Sequence, residues 1–236
     1  MKVAMLRVGI DSGCGGMDGP LFANGAFEYL PIPDSSGLDE RTYGNQLARD
    51  GRPLVSFFPT TRQAAMGNQS LHLDPEFTTF TYGDPTPPKA GLCRLAAGDL
   101  LVFYVGLRGH DHVAPPALYL IGYFEVAFAG LASDLSLEQL QTCYDNFHVR
   151  HESVFLEQRD RLVLVKGGPG SRLLNKAKKI SVMGADRSGK PLKVLSPEMQ
   201  AILGGFGGRI SFQRSPTRWV SEEFTNQAAS FVRQLV

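Results

Sequence analysis

The sequence is poor in the features that most readily announce a function. Cysteine is scarce: Cys14, Cys93 and Cys143 stand far apart in a chain of 236 residues, which gives neither the even count of a disulfide framework nor the paired spacing of a zinc site. Such usage points to a reducing compartment. No charge sign predominates, because 24 Lys and Arg stand against 23 Asp and Glu. No global field therefore draws the protein to a nucleic acid or an anionic membrane, and any basic surface must be local. The longest apolar stretch, LYLIGYFEVAFAGLA, contains Glu125 and is shorter than the roughly 20 residues of a helical membrane span. The opening MKVAMLRVGI is too short for a signal peptide, so a cytoplasmic protein that does not engage a membrane is expected. GxSxG, HExxH, CxxC and Gly-Lys-Ser/Thr are all absent, which removes the commonest hydrolase, zinc and phosphate-loop signatures. Aromatic residues sit inside apolar runs rather than among basic ones, unlike an RNA-recognition sheet.

What is present is apolar material for one large core, with 43% of the residues hydrophobic. Residues 3–10 read as a first strand ending at Asp11. Asn24-Gly25, between GPLF and AFEYLPIP, is a hairpin signal. Residues 34–91, rich in Pro, Gly, Asp and Thr, read as long loops that carry function. DLLVFYVGLRG and PALYLIGYFEVAFAG are two strong strands expected to pair antiparallel, with HDH at their polar turn. SLEQ at Ser136 is a capping box that opens a helix over about 137–147. RLVLVKG is a further strand, SRLLNKAKKI reads as a basic amphipathic helix, and GADRSGKPLK as a polar break. SPEMQAILGG, with Pro in its first turn, and residues 221–235 read as helices. The expectation is one domain over 1–236 of α+β (mixed α/β) class, with a central mixed, partly antiparallel sheet and packed helices.

Four constellations carry candidate chemistry. Gly13, Gly15 and Gly16 match a dinucleotide fingerprint only in part, because Asp18 stands where a third glycine is needed and strand rather than helix follows. Asp11 and Ser12 nonetheless end the first strand, where open sheets place ligands. The alternatives there are a glycine turn capped by Asp11 and a loop, with Ser12 and Gly13, that meets a polar ligand. VLVKGGPGSRLLNKAKK places Lys166, Gly168, Gly170, Ser171 and Arg172 before the expected helix, an arrangement suited to phosphate, although a plain strand-to-helix connection reads equally well. His72 and Asp74, two apart in SLHLDPEF, form a general base with its orienting partner, or hold a divalent ion with a third ligand, or satisfy turn amides. HDH at 110–112 is a mobile tip and a poor metal site. His148 and His151 share a helical face beside Arg150. Asp11, His72 and Asp74 are accordingly the expected catalytic residues. Lys89, Arg108, His148 and His151 are expected to bind substrate. No metal ligand set is assigned, and no cofactor is named.

LRVGIDSGCGGMDGPLFANGAFEYLPIPD, HLDPEF, LAAGDLLVFYVGLRG and GSRLLNKAKKIS together resemble the nucleotide-modification-associated domain proteins of the third type, over most of the chain. The matching positions are Asp11, Ser12, Gly16, Pro20, Phe22, His72, Asp74, Pro75, Gly98 and Asp99. TRWVSEEF departs from the pattern in lacking a proline. The resemblance implies a step in modifying nucleotides or bases in DNA, with a nucleotide or nucleic acid and other modification enzymes as partners. LAAGDLLVFYVGLR followed by LYLIGYFEV is also similar to the barrel hairpin of PUA-like and EVE-like domains, which would imply a non-catalytic reader of a modified base. The two readings differ in what a cleft must hold: convergent titratable groups for an enzyme, an aromatic pocket for a reader. A third alternative, a scaffold, would show a large exposed apolar patch.

Overall fold

Two long strands organise the molecule, and both are buried along most of their length because nearly every residue in them is apolar. The computed structural model describes residues 1–212 and 216–236. In chain order the strands are β1 (Val3–Arg7), β2 (Gly19–Leu21), β3 (Ile32–Pro33), β4 (Leu71–His72), β5 (Thr81–Asp84), β6 (Leu100–Gly109), β7 (Ala117–Leu131), β8 (Val163–Gly167), β9 (Arg172–Lys179), β10 (Ser181–Ala185), β11 (Pro191–Leu195) and β12 (Arg218–Trp219). The helices are α1 (Thr60–Gly67), α2 (Leu137–Thr142), α3 (Phe147–Arg150), α4 (Glu152–Gln158), α5 (Pro197–Leu203) and α6 (Glu222–Gln234).

The main sheet is mixed and runs β12-β1-β6-β7-β8-β5, with β2 also on β6 and β9 also on β7. β6 and β7 pair antiparallel, Leu100 opposite Glu125 and Leu107 opposite Ala117, as their apolar sequences predict. β1 and β2 lie parallel to β6, and β12 closes that edge antiparallel to β1. β7 is long enough to serve two partners, β9 along Tyr119–Tyr123 and β8 along Val126–Leu131. The core between sheet and helices centres on Phe77, Phe103 and Phe124, whose rings meet edge to face at 4.6–5.6 Å; such contacts add to plain area burial.

Several local signals act as read. Ser136 and Gln139 form the reciprocal capping box of α2, Ser196 caps α5 with Pro197 in its first turn, and Phe22 and Ala26 close a tight turn over Asn24-Gly25. Others do not. The basic segment expected as a helix from Ser171 is the strand β9, because pairing with β7 and burial of Leu174 override the helix propensity of its Leu, Lys and Ala residues. The polar break at 184–193 lies in the β10–β11 hairpin, which turns at Gly189 in the left-handed region, φ +81°. The helix expected over 137–147 stops at Thr142, and Asn146 starts a new turn. Residues 34–91 hold α1, β4 and β5 and bury a second apolar cluster around Tyr43, Phe57, Phe58 and Leu71. The loop-like composition concealed it, since α1 begins after Pro59 with no side-chain cap and no acidic first turn.

Candidate functional site

The second apolar cluster anchors the HLDP segment through Leu71 and Leu73, and the segment meets α3 where the His72 ring lies against that of Phe147. β3 and β4 pair at Ile32 and His72, and the chain then turns so that the Asp74 amide donates to the His72 carbonyl at 2.9 Å. The Asp74–Pro75 peptide is cis. Asp74 is buried and its carboxylate is held from two sides. The Gly83 N–H of β5 donates to both oxygens, at 2.9 and 3.1 Å, and Asn146 Nδ2 donates to Oδ1 at 3.2 Å. Asn146 is also the N-cap of α3, accepting from the His148 amide at 3.1 Å. One asparagine thereby fixes both the carboxylate and the helix that delivers His148.

His148 lies with Nε2 3.6 Å from Asp74 Oδ2, while Nδ1 meets Gln158 Oε1 of α4 at 2.7 Å. His72 completes the group, its ring centroid 5.0 Å from that of His148 and 4.3 Å from that of Phe147. Ligand atoms of His72, Asp74 and His148 all fall within 4.8 Å of one another, so these three are the residues able to hold a metal. They form one wall of a cavity of about 400 Å³ that is also lined by Arg7, Tyr82, Asp84 and Lys89. Tyr82 donates its hydroxyl to Asp84 at 3.0 Å.

Burial sets the protonation of the cluster. Desolvation, with His148 alongside, pushes the His72 imidazole down to about 3, and burial lowers His148 despite its bond to Gln158. Both rings are neutral at physiological pH. Burial likewise holds the Asp74 carboxyl well above the usual carboxylate range, outweighing the Gly83 amide. A stability effect follows. With His72 titrating near 3 when folded and near 6.5 when unfolded, the unfolded chain binds more protons between those values, so stability is fully present above pH 6.5 and declines as pH falls through the window. Urea unfolding in chelator is expected to show this decline, at up to about 1.4 kcal/mol per pH unit for each such group, and His72→Gln should flatten it. An unchanged slope in that variant would mean that His72 titrates normally.

The sequence-predicted residues do not all meet. His72, Asp74, His148 and Lys89 line the cavity. Asp11 and Ser12 are not in its lining: Asp11 is buried, accepts from the Gly13 and Cys14 amides at 2.7 and 3.0 Å, and is ion-paired at 2.7 Å with Nε of Arg7, a lining residue. The opening glycines thus form an Asx-type turn that positions Arg7, and Ser12 and Gly13 face solvent on it. The phosphate-cradle geometry at 166–172 is absent because no helix follows. The Gly168 amide donates to the Glu125 carbonyl at 2.7 Å, the Ser171 amide to Gly168, and Lys166 Nζ to the Thr79 carbonyl. Ser171 Oγ accepts from the Glu125 amide, the Glu125 carboxylate occupies the space beside Gly170, and Arg172 lies over the Tyr123 ring. Arg108 is exposed on β6 opposite Pro20, outside the cavity. His151 turns away from His148 to meet Asp39 at 3.5 Å. Arg7, Tyr82, Gly83, Asp84, Asn146 and Gln158 escaped the sequence reading. Only Asn146 carried a local signal, as an N-cap residue before a short helical run.

The profile of a family described as nucleotide modification associated domain 3 matches residues 2–234. No curated protein and no solved structure matches the chain. Among the described residues no helix is long and apolar enough to cross a membrane.

Proposed function

The chain belongs to the nucleotide modification associated domain 3 family, and from that premise we propose that it is an enzyme acting on a nucleotide or on a base in DNA, with its chemistry at the His72–Asp74–His148 cleft. The observation that carries this reading is the convergence of three chemically active side chains from two distant segments on one cavity wall, with Arg7 and Lys89 in the same lining. A structural role would not require two neutral imidazoles and a carboxyl to be buried together, since apolar side chains would fill the same space without the desolvation cost. The cavity volume is in the range of small-molecule sites and suits one nucleotide unit, free or flipped from a strand, rather than an intact duplex. Tyr82 is the sole Phe, Tyr or Trp among its lining residues, which favours a reacting centre over the stacking pocket a base reader needs.

Arg7 and Lys89 would hold the phosphate and His72, Asp74 and His148 would face the reacting atoms. Calorimetric titration at low salt with mononucleotides and short single-stranded DNA is the test. Binding is expected for both, and Lys89→Met, which keeps the apolar stem, should weaken it about 10–100-fold, the worth of one charge-assisted hydrogen bond. If neither probe binds at millimolar concentration, or Lys89→Met binds both as the natural chain does, the reading is wrong.

A further inference from the structure

In the His72–Asp74–His148 group, acceptors face one another. Gln158 presents Oε1 to Nδ1 of His148 at 2.7 Å, an oxygen that can only accept, so Nδ1 bears the ring proton and Nε2 carries a lone pair. That lone pair lies 3.6 Å from Asp74 Oδ2, beyond hydrogen-bond reach, in a buried setting. Two opposed acceptors in a buried site call for a cation between them: a proton held by Asp74, whose carboxyl burial keeps above the usual range, or a metal ion that displaces it.

We propose that His72, Asp74 and His148 bind one divalent first-row transition-metal ion, leaving its remaining coordination positions open to the cavity beside Arg7 and Lys89. The donor set decides the class of ion. Two imidazoles and one carboxylate suit manganese through zinc, whereas calcium and magnesium prefer oxygen alone. The spacing is close to that of a bound ion, whose ligands at about 2.1 Å sit roughly 3–3.5 Å apart: the His148–Asp74 separation is 3.6 Å and all three donors fall within 4.8 Å, so binding would draw the group slightly together. The supporting shell is also built: Gln158 orients His148, and Gly83 and Asn146 fix Asp74. Three ligands with an open side are the pattern of a reactive centre rather than of a structural metal, which is closed by four.

Charge in the cavity adds a functional reason. With Asp74 ionised, as a metal ligand must be, Arg7 and Lys89 in the lining are matched by Asp74 and Asp84, so the protein alone offers no excess of positive charge there. A divalent ion would supply it, and a phosphate or carbonyl oxygen of the substrate would fill an open position. The inference deepens the nucleotide reading and rests on it for the identity of the substrate, but the metal is tested separately.

The full chain, stripped with chelator, is titrated with Co²⁺ alone, followed by its visible spectrum and by calorimetry. One equivalent should bind with ligand-field bands, and Mg²⁺ at the same concentration should not compete. His72→Ala, at a partly exposed position, should weaken Co²⁺ binding at least 100-fold while the metal-free variant still melts cooperatively. Gln158 is a positioning residue: Gln158→Ala should weaken binding about 10–100-fold, and Gln158→Glu, which still accepts from Nδ1, should restore it. Absence of Co²⁺ binding at 100 μM, binding unchanged in His72→Ala, or displacement by Mg²⁺ would each overturn the metal site. Nucleotide binding in chelator is a separate readout, so loss of the metal proposal leaves the nucleotide reading standing, and the converse.

Discussion

Asp74→Asn is expected to lower turnover by about a hundredfold to ten-thousandfold, the range for removing a group that acts directly on reacting atoms, and yet to shift the melting temperature by only a few degrees. The two effects separate for a physical reason. Asn is nearly the same shape and keeps one oxygen for the Gly83 amide, which now donates to both carboxylate oxygens. The Tyr29 hydroxyl bonds the Asp74 backbone carbonyl, not its side chain. Burial, meanwhile, holds the carboxyl far above its ordinary range, so its ionised form costs stability that Asn does not. A change of about 1 kcal/mol moves the melting temperature of a chain this size by roughly 2–4 °C. Calorimetric scans of both proteins in chelator, with turnover measured on the nucleotide that binds, check the prediction. A fall above about 10 °C would mean that Asp74 is a structural buttress, whereas a matched melting temperature with retained turnover would remove it from the chemistry.

The separation between what the residues announce locally and what the fold assembles is visible in this site. His72 and Asp74 are neighbours in sequence, and their types alone mark them for acid–base or metal chemistry. Lys89 and His148 offer in the sequence only the chemistry of their types, a cation and an imidazole. Nothing local, however, reveals that His148 meets Asp74 while His151, three residues on, turns to Asp39. That choice depends on Asn146 ending one helical run and capping the next, and on α4 returning Gln158 to the His148 ring. The same limit applies to the sheet. β6 and β7 declare themselves because their apolar runs are long and need no outside help. β9 does not, because its Lys and Leu spacing suits a helix until β7 offers a pairing edge. The glycine-rich opening shows the opposite case: its composition suggests a ligand loop, and the chain uses it to hold Asp11 against Arg7.

Gly83→Ala, the addition of one methyl group, should cost about 1–3 kcal/mol of stability through overpacking and disable the site along with it. A Cβ on Gly83 would stand 2.7 Å from Asn146 Oδ1, 3.1 Å from His148 Cδ2 and 3.2 Å from Leu164 Cδ2. None of these can yield freely. Asn146 is fully buried and its Oδ1 caps α3, His148 is tied to Gln158, and Leu164 belongs to β8, which is paired with β5. Relief must come from Asn146, whose retreat would loosen its bond to Asp74 and the first turn that carries His148. The melting temperature should therefore drop by about 3–10 °C, and Co²⁺ affinity by roughly 10–100-fold, as for loss of a group that orients ligands. Gly67→Ala is the matched control. A Cβ there meets only Val55 Cγ2, at 3.9 Å, and Gly67 ends α1 outside the cavity lining. That variant should bind Co²⁺ normally and melt at or slightly above the natural temperature, since alanine restricts the unfolded chain. If Gly83→Ala were indistinguishable from Gly67→Ala in both measurements, the packing of Asn146 and His148 against β5 would not be what holds the cluster in register.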